Sequence, residues 1–189
     1  MSLALNRISN LMALAVPAAG FFTCGKAGAA SDCFIKFDGI DGESAVSGYE
    51  KQVEVLSWSF GASNPTAVTG GGGGTGKVSL QDFHFTTRVN SSSPPLMLAC
   101  AKGTHIPTAT FRLLKPTSTG GQQEYYVVTL HDVLISSYSS SRSPSNTASD
   151  GVPVEKVSLS FIKITMEYRP AASGGAAGNP VTATVDVER

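Results

Sequence analysis

Charge is scarce in this sequence and favours neither sign. Lys plus Arg numbers 14, Asp plus Glu numbers 14, and charged residues make up only 15% of the 189 residues. A net charge of zero provides no basic field to hold a phosphate backbone, so nucleic acid is excluded as a partner class. It also does little to keep identical copies apart, which suits self-association. Metal chemistry lacks its usual spacings. No C-x-x-C joins Cys24, Cys33 and Cys100, and His84, His105 and His131 form neither H-x-x-x-H nor H-E-x-x-H, so no zinc site and no cofactor are expected. A Cys33–Cys100 disulfide would require an oxidising compartment. No G-x-S-x-G elbow supports a nucleophilic serine beside His131-Asp132, so no enzyme is expected. Gly71-x-x-x-x-Gly76-Lys77 approaches a phosphate-binding loop, but Val78 stands where a magnesium-binding hydroxyl is required and a strand follows where a helix should open. Trp58, Tyr125 and Tyr126 have no basic groove beside them and read as core rather than as a base-stacking platform.

Long apolar runs are also missing. The segment from Leu11 to Phe22 is too short for a membrane-spanning helix of about 20 residues, so no stable membrane insertion is expected. It follows Arg7 and precedes the small residues Ala27-Gly-Ala-Ala30, which is the order of a secretory signal. The alternatives are a disordered extension or a start codon placed too early. Residues 1–30 are therefore set apart from a domain at 31–169 and from a linker with a terminal strand at 170–189.

What fills the chain is a two-residue period, the period of a strand. Cys33–Phe37 is the first strand and runs into the turn Asp38-Gly-Ile-Asp-Gly42. Val53–Gly61 is the second, with Leu56, Trp58 and Phe60 predicted inside and Val55, Ser57 and Ser59 predicted toward water. After a glycine-rich loop at 62–76, Lys77–Val89 alternates again. Val78 and Leu80 share one parity while Phe83, Phe85 and Val89 share the other, which predicts a bulge at Gln81-Asp82. Ser91–Gly103 carries the punctuation of the one helix: serines and prolines at the start and glycine past the end. Its Leu96, Leu98, Ala99 and Ala101 supply apolar surface, so the helix should plug a barrel end or cover a sheet. Further strands are predicted at Thr108–Lys115, Glu124–Ser136 and Val154–Tyr168, the last slipping phase at Phe161-Ile162, and at Val181–Val187. The expected fold is mainly β: a two-sheet β-barrel with one short α-helix.

Several of these segments, in this order, resemble the Hcp (haemolysin-coregulated protein) family of type VI secretion. They are Phe34-Ile-Lys-Phe37 with Gly39, Gly42-Glu-Ser44, Val53-Glu-Val-Leu-Ser-Trp-Ser-Phe-Gly61, the glycine run into Gly76-Lys77-Val78 with Gln81-Asp82-Phe83, Ser93-Pro-Pro-Leu-Met-Leu-Ala-Cys-Ala-Lys-Gly-Thr-His105, Tyr125–Leu130 with Asp132–Ser137, and Glu155–Phe161 with Ile164–Tyr168. The resemblance spans residues 33–169. It implies a phage tail-tube-like barrel whose copies form six-membered rings with a wide pore. Those rings stack into a tube driven by a contractile sheath and tipped by a spike, with effectors carried in the lumen. On that resemblance, Ser57 and Ser59 would face the lumen. The loop carrying Asn64, Gly70, Gly71, Gly72, Gly73, Gly74 and Gly76 would reach the next ring. Localisation would be extracellular by type VI export. Two features depart from the family: the leader at 1–30, and Thr182-Ala-Thr-Val-Asp186 where a Gly-Trp-Asp-like sequence is usual. The leader leaves open a second reading, a Sec-exported binding module or effector carrier outside any sheathed tube.

Overall fold

The computed structural model describes residues 32–63, 78–117, 121–142, 152–170 and 178–187. The leader at 1–30, the loop residues Asn64–Gly76, residues 143–151 between two of the strands and residues 171–177 of the linker lie outside these.

Among the described residues, eleven strands and one helix are arranged as β1 (Cys33–Phe37), β2 (Val53–Glu54), β3 (Ser57–Ser59), β4 (Ala62–Ser63), β5 (Ser79–Leu80), β6 (Phe83–Arg88), α1 (Ser93–Lys102), β7 (His105–Pro116), β8 (Gln122–Ser141), β9 (Val154–Ser160), β10 (Lys163–Tyr168) and β11 (Val181–Asp186). Nine of the strands form one antiparallel sheet, ordered β2-β1-β7-β8-β9-β6-β3 with β10 and β11 branching from β8; β4 and β5 form a separate pair. Among the described residues the architecture is thus the expected mainly β fold with one helix, its sheets being a nine-stranded sheet folded over on itself and a two-stranded ribbon.

The fold-over follows from where the strands break. β8 is 20 residues long and serves two partners along one edge: β10 against Tyr126–His131 and β9 against Leu134–Ser141. The interruption between β9 and β10 falls at Phe161-Ile162, where the sequence changes phase, and Asp132 opposite it adopts a positive φ of 50°. The sheet therefore bends there. The two ends of the ladder are β2 and β3, and these are successive pieces of one segment. The Val55 N–H donates to Cys33 O at 2.9 Å and the Leu56 N–H donates to Thr86 O at 2.8 Å. The chain thus leaves the β1 edge and joins the β6 edge within one residue, which seams the two layers together.

That crossing corrects the expected pattern at 53–61. The segment is two short strands, and its phase slips between them. Val53 and Val55 are buried, Trp58 and Phe60 are half-buried against the core, and Leu56 is 52% exposed. Gln81-Asp82 likewise ends β5 outright instead of bulging, because β5 pairs with β4 while β6 pairs with β3 and β9. Val89 falls just past the end of β6 and is exposed. Gly42 supports the same corner: a Cβ there would lie 2.4 Å from Gln52 O, closer than backbone can tolerate.

Between the layers lies an aromatic core. Phe83 is fully buried and meets Trp58, Phe60 and Phe111 at centroid distances of 6.2, 5.7 and 5.3 Å. Burying each such ring stabilises the fold by roughly 1.5–3 kcal/mol relative to exposure. α1 covers the flank beside β8. Its Leu96 and Ala99 are buried on one stripe, whereas Met97 and Leu98 are exposed, so the expected burial of Leu98 is not found. Ala99 is three positions after Leu96, and a helix packed on one side buries only that stripe. Gly103 ends it in the left-handed conformation at φ 62°, and the Thr104 N–H bonds Ala99 O at 3.0 Å.

The linker after β10 does not detach the terminal strand. The Gly178 N–H donates to Pro170 O at 2.8 Å, and β11 pairs with β10 over its full length.

Candidate functional site

The outer face of β3, β6, β9 and the far half of β8 is a grid of small polar side chains. Pairing registers align them in two rows across four strands: Ser57–Thr86–Lys156–Ser139, and Ser59–His84–Ser158–Ser137. The intervening residues Trp58, Phe85, Val157 and Tyr138 point the other way, into the core. This is the period-two rule applied to four adjacent strands. Ser57 Oγ and Thr86 Oγ1 are 2.6 Å apart, and His84 Nδ1 and Ser158 Oγ are 2.7 Å apart. The rows floor an open depression. Lys156 is the one permanently charged side chain in either row, so the face offers hydroxyl donors and acceptors with almost no field. A bulge places Ser136 and Ser137 together opposite Ser158, and Ser136 Oγ donates to the Asp82 carboxylate at the rim.

Of the residues expected at a site, Ser57 and Ser59 are on this grid, and both are exposed. Asn64, Gly70, Gly71, Gly72, Gly73, Gly74 and Gly76 lie outside the described residues. Reading the sequence segment by segment missed the partners that make the rows. The signal was present in the alternation of His84 and Thr86 with Phe83 and Phe85, but which strands lie side by side is a long-range fact.

A second cluster holds the face to the helix. Glu155 on β9 is 1% exposed, and its carboxylate accepts from Ser93 Oγ at 2.9 Å and from the Tyr138 hydroxyl. Burial, with the neighbouring Glu155 as a further cause, pushes the Tyr138 phenol up to about 12. Ser93 Oγ also accepts the Asn90 N–H at 2.9 Å. The helix start, β8 and β9 are thus tied at one point. A buried carboxylate is tolerated only when hydrogen-bonded in this way.

On the opposite wall, Tyr49 stacks on Phe34 at 5.1 Å and donates to Glu124 Oε1 at 3.1 Å; Glu124 also meets Arg112 at 3.3 Å. Burial, with the Glu124 charge second, raises the Tyr49 phenol to about 12. This network pins the 43–52 loop over β1 and β7. Cys33 and Cys100 are half-buried thiols, and burial, with the Asp32 charge second, raises the Cys33 pKa. Asp132 bonds His105 Nδ1 at 2.6 Å, across from β8 to β7. No group of three His, Cys, Asp or Glu side chains among the described residues is placed to hold a metal ion, and no helix among them is long and apolar enough to cross a membrane.

Comparison with known proteins places this geometry. Residues 34–168 match the family described as "Type VI secretion system effector, Hcp". The chain is 39% identical over 156 residues to the Pseudomonas aeruginosa protein hcp1, covering 80% of this chain and 92% of that one. Among solved structures it resembles Hcp1 from Salmonella typhimurium, with a TM-score of 0.67, 32% identity, and 84% and 95% of the two chains covered. It also resembles a type VI secretion system effector from Yersinia pestis, with a TM-score of 0.63, 28% identity, and 82% and 100% covered.

Proposed function

The chain belongs to the Hcp family of type VI secretion proteins, and from that premise we propose that it is a tube subunit. In this reading its copies close into six-membered rings, the Ser57–Ser59 face lines the lumen, and the loop bearing Asn64 and Gly70–Gly74 carries ring-to-ring stacking. Sheath, spike and effector proteins are its partners, and the domain begins after residue 30.

The observation that carries the reading is the four-stranded polar grid. Its hydroxyls face outward in register while the same strands bury an aromatic core behind them. Hydroxyl-rich, charge-poor strands make a wall that stays hydrated and does not trap a passing protein by its field. Ring closure needs a head-to-tail contact in which one patch meets a different patch on the next copy. Ordering the glycine-rich loop costs on the order of 1–2 kcal/mol per residue, and a neighbouring ring would supply the contacts that offset it.

Deleting Gly70–Gly74 tests the stacking role. Rings should persist by light scattering while tube yield by electron microscopy falls; an unchanged yield refutes it. The signal-like order of residues 1–30 favours the second reading, a Sec-exported binding module or effector carrier outside a sheathed tube. N-terminal sequencing separates the two: a mature protein starting near Ala30 or Ser31 supports Sec export, and an intact leader supports loading from the cytoplasm.

A further inference from the structure

Two sets of exposed apolar side chains lie outside the polar rows. On α1, which packs against β8, Met97 and Leu98 are 59% and 54% exposed. The other set lines a groove: Leu56 just before β3, Val89 just past β6 and Val152 just before β9, with Glu43, Glu54 and Arg88 also lining it. Exposed apolar side chains gathered this way mark an interaction surface more than scattered ones do.

The two patches also differ in charge. α1 carries one ionisable side chain of fixed charge, Lys102, four residues after Leu98 and therefore on the same side of the helix. The groove rim carries two carboxylates against one guanidinium. The Glu43 carboxylate accepts the Ser91 N–H at 2.8 Å, and Glu54 is exposed beside Leu56.

We propose that α1 of one copy seats Met97 and Leu98 in the Leu56–Val89–Val152 groove of the next, with Lys102 meeting Glu54. The inference rests on the ring-forming reading and names the surfaces that would carry it. One patch meets a different patch, so the contact is heterologous and can propagate around a ring. Opposite charges at the rim fix register and speed encounter more than they add affinity.

The test uses the full chain with Leu56→Asp and with Met97→Asp/Leu98→Asp, both at solvent-exposed positions, with folding checked by circular dichroism. Light scattering should show wild-type rings and two monomeric variants. Mixing the variants leaves one intact pair of patches, so the mixture should stop at a dimer. Glu54→Lys and Lys102→Glu should each weaken assembly, and the two combined in one chain should restore it. Rings that survive either apolar variant overturn the proposed pairing, as does a mixture that stays monomeric. A wild-type chain that is monomeric at high concentration overturns the ring-forming reading itself, and is thereby told apart from a failure of the pairing alone.

Discussion

The two faces of β3, β6, β9 and the far half of β8 are built by alternate residues of the same strands, yet they are different materials. One face is Phe83, Phe85, Val157, Leu159 and Ile135, almost wholly withdrawn from water. The other is Ser59, His84, Ser158, Ser137 and their neighbours, open to it. A backbone that must hold shape in an assembly needs the first; a surface that must stay wet needs the second. Because strand side chains alternate, four short strands supply both without extra chain. Stability and surface function are thus separable here, and substitutions on the two faces should behave differently.

The largest expected effect is on the inner face. Phe83→Ala removes the ring at the centre of the Trp58, Phe60 and Phe111 cluster and should cost about 3–5 kcal/mol in urea denaturation. A loss under 1 kcal/mol would mean that the two layers are not packed through this ring. Glu155→Ala comes next. It leaves the Ser93 and Tyr138 hydroxyls without their acceptor and should cost about 1–3 kcal/mol. Hydrogen exchange should rise in α1 before it rises in β7. Equal protection of α1 in the variant and the wild type would show that Leu96 and Ala99 hold the helix by themselves.

Alkaline titration gives a third, smaller effect. Tyr49 and Tyr138 are both raised from an ordinary value of 10 to about 12 by burial and a neighbouring carboxylate. A raised pKa means that the folded state holds the proton more tightly. The stability linked to it is present below pH 10 and is lost as pH rises from about 10 through 12. The double variant Tyr49→Phe/Tyr138→Phe should flatten the stability profile in that window, and an unchanged slope would assign it to other groups. Ser59→Ala, on the outer face, should change stability by no more than about 0.5 kcal/mol. A large loss there would end the separation of the two faces.

Much of this fold is legible along the chain. The helix ends sit at Ser93 and Gly103 as their punctuation implies, and the phase slip at Phe161-Ile162 is the observed division between β9 and β10. Leu56 shows where legibility stops. Its neighbours Trp58 and Phe60 suggest that it is core, but the chain changes sheet edge at Val55–Leu56, and the alternation restarts with Leu56 outside. Leu98 shows the same limit for the helix. Its apolar character is visible in the sequence, but the single stripe that α1 buries is chosen by the sheet beneath it.

Residue order by itself determined the two-residue period, the break at Phe161-Ile162, the helix between Ser93 and Gly103, and the placing of hydroxyls opposite aromatics along strands such as β6. All of these are local, because side-chain direction in a strand depends only on the next residue along. The tertiary structure alone decided that four such strands lie side by side, and that Glu155, Ser93 and Tyr138 meet. It also gathered Leu56, Val89 and Val152 into one groove. Those facts depend on which backbone edges pair across tens of residues, and the alternation within a strand is the same whichever neighbour it finds.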